Sequence, residues 1–202
     1  MAISETPHVA QRVAFYAVIA CWGLFALTFW LKKRPPVVRE TKRDRTSLVG
    51  MSLQGVAFFF VWFNPLQRKQ LAPATSGSAV VEWGLAALAV IIAVVSVWLV
   101  NSAARHLGKQ WALTARVVEG HELIQEGPYR LVRNPIYTGM FGMLLATGLV
   151  IDRGVPLAIA IVVFLAGTYI RIQSEERLLR QTFGAEFEAY ARKVPALIPG
   201  IY

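Results

Sequence analysis

The chain of 202 residues is 55% hydrophobic and only 16% charged, whereas charged residues make up roughly 25% of an ordinary soluble domain. Its net charge of +9 would suit a nucleic-acid-binding protein, but the basic residues lie at the ends of long apolar runs, where lipid headgroups attract them. Composition therefore indicates an integral membrane protein, and argues against a soluble helical domain and against nucleic acid as a partner.

Five apolar runs predict membrane-spanning helices, since roughly 17–25 helical residues cross the hydrocarbon core. In chain order they cover residues 13–31, 48–66, 83–104, 135–151 and 155–170. The last two are slightly short and need flanking residues or a thinner bilayer. The first is expected to be a retained helix and not a cleaved signal peptide, because its basic cluster follows the apolar run. We predict an all-α, multi-pass transmembrane bundle of about five spans.

The basic residues also predict an orientation. Most of the 21 Lys and Arg residues fall in the segments 32–46, 105–134 and 171–202. In a five-span bundle these three segments all lie on the same side of the membrane. Because positively charged loops stay in the cytoplasm, we expect the N-terminus outside and the C-terminus in the cytoplasm.

We divide the chain into an N-terminal region of three transmembrane helices, residues 1–104, and a C-terminal region, residues 105–202. The C-terminal region is predicted to hold a cytoplasmic loop, a helical hairpin and an amphipathic interfacial helix over residues 173–194, where apolar residues recur every three or four positions. Cys21 is the lone cysteine and no histidine pair has metal-ligand spacing, so we predict no metal site.

The three-residue turn 152–154 can only connect antiparallel helices. Both arms of this hairpin then run roughly 25–30 Å at about 1.5 Å per residue, so their far ends meet at one level. Two polar clusters are therefore expected to converge there: Arg130, Arg133 and Asn134 from one arm, and Arg171, Glu175 and Glu176 from the other. The glycines at 139, 142 and 148 are expected to let these two helices pack closely.

The residues of this convergence have two interpretations. Arginines three positions apart can clamp a carboxylate or phosphate, and arginines and tyrosines also commonly anchor helices at the membrane interface. The adjacent carboxylates Glu175 and Glu176 gain nothing from anionic lipid and need arginine partners or a cationic ligand. A ligand that carries a carboxylate, an ammonium and a sulfonium would use both clusters, whereas a plain Arg–Glu network would only tie the hairpin to the loop.

The chain also resembles a known family motif over about residues 107–199. Isoprenylcysteine carboxyl methyltransferases and bacterial phospholipid methyltransferases share a His, then Leu-Val and Gly-Pro-Tyr, then Arg-His-Pro and a Tyr. Past a helical hairpin follow Glu-Glu, Phe-Gly, a Tyr and Pro-x-x-Ile-Pro. The matching positions here are His121, Gly127, Pro128, Tyr129, Arg133, Pro135, Tyr137, Glu175, Glu176, Phe183, Gly184, Tyr190, Pro195, Ile198 and Pro199.

The resemblance implies an enzyme of the bacterial inner membrane that binds S-adenosyl-L-methionine at the cytoplasmic surface and takes a lipophilic acceptor from the bilayer. It implies the cofactor-binding residues His121, Leu123, Ile124, Gly127, Tyr129, Arg133, Asn134, Pro135, Tyr137, Glu175 and Glu176. Arg171 and Glu175 are the catalytic candidates, although Arg171 can equally orient an anionic substrate or pair with a glutamate. Asn134 replaces the usual histidine, so no acid–base role carries over to it, but an amide can still hydrogen-bond a cofactor.

Two other functions stay open on the sequence. A non-catalytic scaffold or accessory protein would keep the same fold, with the Arg133–glutamate pairing as a structural tie. A small transporter is less favoured, because no apolar run carries an ionisable residue near its midpoint. The acceptor is expected to be an isoprenylcysteine-like carboxylate, a phospholipid headgroup or a small hydrophobic molecule, and the oligomeric state is left open.

Overall fold

The computed structural model of the protein describes residues 6–31, 40–43, 45–63, 79–108, 116–118, 122–151 and 154–200. These residues form an all-helical bundle with one short β-ribbon, which confirms the predicted fold class. The elements are α1 Thr6–Leu31, β1 Glu40–Arg43, α2 Thr46–Phe63, α3 Ala79–Leu107, β2 Arg116–Val118, α4 Pro135–Ile151, α5 Val155–Phe183 and α6 Ala185–Lys193.

Four helices are long and apolar enough to cross a membrane: α2, α3, α5 and residues Val9–Trp30 of α1. Helix α4 is apolar but shorter, with 17 residues, and reaches about 25 Å. The prediction that the fifth run needs flanking residues is confirmed, because α5 does not end at residue 170. It has 29 residues in all, ends at Phe183 and carries its polar C-terminal half beyond the level where α4 begins.

The predicted amphipathic helix over residues 173–194 was wrong in its bounds. Its first half belongs to α5, and the helix is interrupted at Gly184, whose φ of 50° is a conformation that favours glycine. The separate amphipathic helix is α6, which has nine residues and buries Phe187 and Tyr190. Both halves show the same three-to-four periodicity, so periodicity alone could not locate the break.

The helices pack in two groups that share α4. Helix α3 packs on α1 and α4, and α2 packs on α5. The core between α1, α3 and α4 is rich in buried alanines, such as Ala14, Ala89 and Ala93, which let helices approach closely in a membrane. The core between α2, α4 and α5 uses larger side chains, including Leu144 and Phe164.

The glycines of α4 mostly serve α3, and not the hairpin as predicted. A Cβ on Gly139 would lie 2.9 Å from the backbone oxygen of Ser96, and one on Gly142 would meet the same serine's side chain. Only Gly148, beside the turn, faces α5. The hairpin arms are instead separated by the stacked rings of Phe141 and Phe164, whose centroids are 5.7 Å apart.

A two-stranded ribbon joins the loop after α1 to the loop after α3. Strand β1 pairs antiparallel with β2, with Glu40 opposite Val118 and Arg43 opposite Arg116. The sequence does not predict this ribbon, because its strands are only four and three residues long and have no clear apolar alternation. The pairing places these two basic loops at the same end of the bundle, where the convergence of α4 and α5 also lies.

Candidate functional site

The chain enters α4 through a tight turn. Residues Gly127–Arg130 form one turn of 3-10 helix, and Pro135 starts α4, where its missing N–H costs no helical hydrogen bond. Gly127 has a φ of 58°, and a Cβ there would collide with the imidazole of His106 at the end of α3. The turn is therefore pressed onto α3, and only glycine suits the position.

Arg133 and Glu176 form the predicted link between the two polar clusters. The Arg133 Nε donates to Glu176 Oε1 at 2.9 Å, and Nη2 lies 2.8 Å from the same oxygen. Arg133 Nη1 donates to the carbonyl oxygens of Ala191, at 2.9 Å, and Val194. The two side chains are only 13% and 5% exposed. Protein acceptors thus engage this guanidinium, which ties α5 and α6 to the loop before α4.

The C-terminal segment is bound to the start of α4. Both the backbone N and the Nδ2 of Asn134 donate to the carbonyl oxygen of Ala196, at 3.1 and 2.9 Å. The Thr138 hydroxyl donates to the carbonyl oxygen of Leu197 at 2.6 Å. The Asn134 amide therefore has a structural role, and sequence reasoning could not find it because its acceptor is a backbone atom 62 residues away.

Glu175 is the accessible carboxylate of the adjacent pair. Its side chain is 29% exposed, against 5% for Glu176. The Tyr137 hydroxyl donates to Glu175 Oε1, and Arg171 Nη2 lies 3.9 Å from the same oxygen. The Arg171 guanidinium also lies over the Tyr137 ring, 4.7 Å from its centroid. These three side chains form one cluster, which we call the Glu175 cluster, with one carboxylate open to a ligand.

Tyr129 and Tyr190 are a second buried pair beside this cluster. The Tyr190 hydroxyl donates to the backbone oxygen of Tyr129 at 2.7 Å, and both side chains are less than 8% exposed. Burial raises the pKa of Tyr129, with a further increase from the nearby Glu175, and burial raises the pKa of Tyr190. Both phenols therefore stay neutral and act as hydrogen-bonding groups.

The other predicted residues lie around this core or outside it. Leu123 packs on the apolar cluster of Phe187, Tyr190 and Val194. Ile124 is half-buried, Pro135 is buried, and Arg130 is exposed. His121 lies outside the described residues.

Helix α2 contributes a residue that was not predicted from the sequence. The Gln54 side chain is 1% exposed, and its Oε1 accepts a hydrogen bond from Arg171 Nη1 at 3.0 Å. Its Nε2 donates to the Thr168 hydroxyl at 2.8 Å. The one available signal was an amide within an otherwise apolar run, which by itself does not indicate its partner.

Comparisons with known proteins match part of the chain. Protein-S-isoprenylcysteine O-methyltransferase B of Arabidopsis thaliana is 36% identical over 84 residues, which are 40% of this chain and 41% of that protein. Protein-S-isoprenylcysteine O-methyltransferase of Saccharomyces cerevisiae is 35% identical over 83 residues, 40% of this chain and 34% of that protein.

A relative with a different name matches a similar length. The nickel-cobalt-cadmium resistance protein NccN of Alcaligenes xylosoxydans xylosoxydans is 33% identical over 94 residues, 46% of this chain and 44% of that protein. The chain thus spans less than half the length of each of these relatives. The phospholipid methyltransferase family matches residues 85–186, a stretch that contains the whole Glu175 cluster. Since this match covers half of the chain, the protein belongs to the phospholipid methyltransferase family.

Proposed function

We propose that this protein is an integral membrane methyltransferase that uses S-adenosyl-L-methionine and methylates a lipophilic acceptor at the cytoplasmic face of a bacterial inner membrane. The observation that carries the proposal is the Glu175 cluster, a partly exposed carboxylate held between Tyr137 and Arg171 inside the family match. The cluster lies at the end of the bundle where the basic loops meet, which is the end expected to face the cytoplasm.

The residues at the site fit the cationic end of the cofactor. Its ammonium and sulfonium need an accessible anion, and Glu175 provides one at 29% exposure. The carboxylate of the cofactor fits Arg133 less well, because oxygen atoms of the protein already accept hydrogen bonds from this guanidinium. We therefore assign Arg133, Asn134 and Glu176 to shaping the site. The neighbouring candidates stay part of the proposed pocket: His121, Leu123, Ile124, Gly127, Tyr129, Pro135 and Tyr137.

When bound, the cofactor supplies an electrophilic methyl group, and the protein has to align a nucleophile with it in a site that excludes water. A carboxylate or thiolate acceptor is already a nucleophile near neutral pH and needs no base. An amine acceptor, such as an ethanolamine headgroup, must first lose a proton. Glu175 is then the candidate base that accepts this proton, and the Tyr137 hydroxyl holds its carboxylate in place.

The membrane setting supports the proposed acceptor class. Acceptors with an apolar tail reach an interfacial site from within the bilayer, and the isoprenylcysteine methyltransferases among the relatives carry a lipid-modified substrate in their names. We propose an isoprenylcysteine-like carboxylate, a phospholipid headgroup or a small hydrophobic molecule.

A non-catalytic scaffold is the second candidate. One observation favours it: the Arg133–Glu176 link is closed within the protein, as a purely structural tie would be. The two functions differ in the Glu175 cluster, which a scaffold does not need to keep accessible.

Calorimetric binding of S-adenosylmethionine and S-adenosylhomocysteine to the protein in lipid nanodiscs tests the proposal. We expect saturable binding, weakened about tenfold or more in Glu175→Gln, since a hydrogen bond to a charged group contributes about 1.5–3 kcal/mol. The matched control is Glu188→Gln, a carboxylate that is 46% exposed and paired with Arg180, for which unchanged affinity is expected. Absence of binding by folded wild-type protein would leave the scaffold as the better account.

A further inference from the structure

Gln54 is buried where α2 crosses α5, and both ends of its amide are engaged by α5. Its Oε1 accepts from Arg171 Nη1 at 3.0 Å, and its Nε2 donates to the Thr168 hydroxyl at 2.8 Å. A guanidinium can only donate hydrogen bonds, so the amide oxygen has to face Arg171. The orientation of this amide is therefore fixed by the chemistry of its partners.

Two glycines bring Gln54 within reach of that arginine. A Cβ on Gly167 of α5 would lie 2.6 Å from the backbone oxygen of Gly50 of α2, and one on Gly50 would lie 2.5 Å from Cγ of Arg171. Only glycine at both positions permits so close a crossing. The crossing therefore places an amide from the N-terminal part of the chain directly against a side chain of the Glu175 cluster.

Arg171 is shared unequally between Gln54 and Glu175. It is 3.0 Å from the Gln54 oxygen, a full hydrogen bond, but 3.9 Å from Glu175 Oε1, which is beyond hydrogen-bond range. The guanidinium is further held over the Tyr137 ring. The carboxylate and the guanidinium carry opposite charges at this short distance, so without the acceptor at position 54 their attraction would draw Arg171 towards Glu175.

We infer that Gln54 is a positioning residue for the methyl-donor site: by binding Arg171 it keeps that guanidinium from closing onto Glu175, so the carboxylate stays available to a cationic ligand. The inference rests on the proposed function. Gln54 lies outside the family match of residues 85–186, so by this inference α2 contributes to the site and does not only anchor it.

Binding of S-adenosylhomocysteine and S-adenosylmethionine to Gln54→Met in nanodiscs tests this inference, because methionine keeps the length of the side chain but cannot accept from Arg171. We expect affinity to fall about tenfold or more. The matched variant Thr168→Val removes the other hydrogen bond of the same amide, and we expect its affinity to stay within about twofold of wild type. Gln54→Glu retains an acceptor for Arg171 and should recover most of the affinity.

A double-mutant cycle with Arg171→Met separates positioning from general damage. If Gln54 acts through Arg171, adding Gln54→Met to Arg171→Met weakens binding no further. Equal affinity of wild type and Gln54→Met would overturn the inference, as would equal losses of affinity and melting temperature in Gln54→Met and Thr168→Val. Folded wild-type protein that binds neither ligand would overturn the proposed function itself, and the role of Gln54 with it.

Discussion

Replacing Arg133 with methionine should destabilise the protein strongly. The guanidinium is 13% exposed and the Glu176 carboxylate 5% exposed, and the substitution also removes the donors to the carbonyl oxygens of Ala191 and Val194. Breaking a buried ion pair costs about 3–5 kcal/mol. Arg180, although 42% exposed, lies 3.1 Å from Glu176. Because the carboxylate keeps this partner in the variant, we expect the lower end of that range, about 3 kcal/mol.

A loss of this size corresponds to a fall in melting temperature on the order of 10 °C for a chain of this length. Thermal unfolding in detergent, followed by circular dichroism, measures it. Arg130→Met is the matched control, because Arg130 is exposed and lies three residues away in the same segment; a surface substitution of this kind changes stability by about 0.5 kcal/mol or less. Equal melting temperatures for the two variants would refute the structural role of Arg133.

Two further substitutions test the packing of the bundle. Gly50→Ala should cost about 1–3 kcal/mol of stability by forcing α2 away from α5, since its Cβ would lie 2.5 Å from Cγ of Arg171. In the control Gly55→Ala, on the same helix, the added Cβ has no neighbour within 4 Å, so the melting temperature should stay unchanged or rise slightly. Similar losses of stability in the two variants would argue against the close crossing. Tyr190→Phe should cost about 1 kcal/mol by leaving the backbone oxygen of Tyr129 without its donor, and unchanged stability would contradict that hydrogen bond.

The structure also changes which variants can report on ligand binding. Arg133 and Glu176 are among the positions that the family motif suggests, but both lie in a network that holds α5, α6 and the C-terminal segment together. A loss of binding in their variants would not distinguish a missing ligand contact from a disordered site. Glu175 is accessible, and its conservative amide replacement keeps the shape of the side chain.

The membrane class and the multi-pass helical fold could be predicted from the sequence, because burial in lipid requires long apolar runs that the sequence reveals. The convergence of Arg133 with Glu176 was also predictable, since a three-residue turn between helices fixes the level of their ends. Helix ends were harder, because helical periodicity continues across Gly184 and only the backbone there ends α5. The division of the chain at residue 104 stays a prediction.

The sequence by itself determined that this protein is a helical membrane protein with the motif of a methyltransferase family, since both properties depend on the order of residues along the chain. The tertiary structure alone decided how those residues divide their work. Arg133 and Asn134 look alike in the sequence as ligand-binding candidates, but their donors turn inward to backbone oxygens near the C-terminus. Gln54 shows no motif at all, and it joins the site because two glycines let α2 approach α5 closely enough for its amide to reach Arg171.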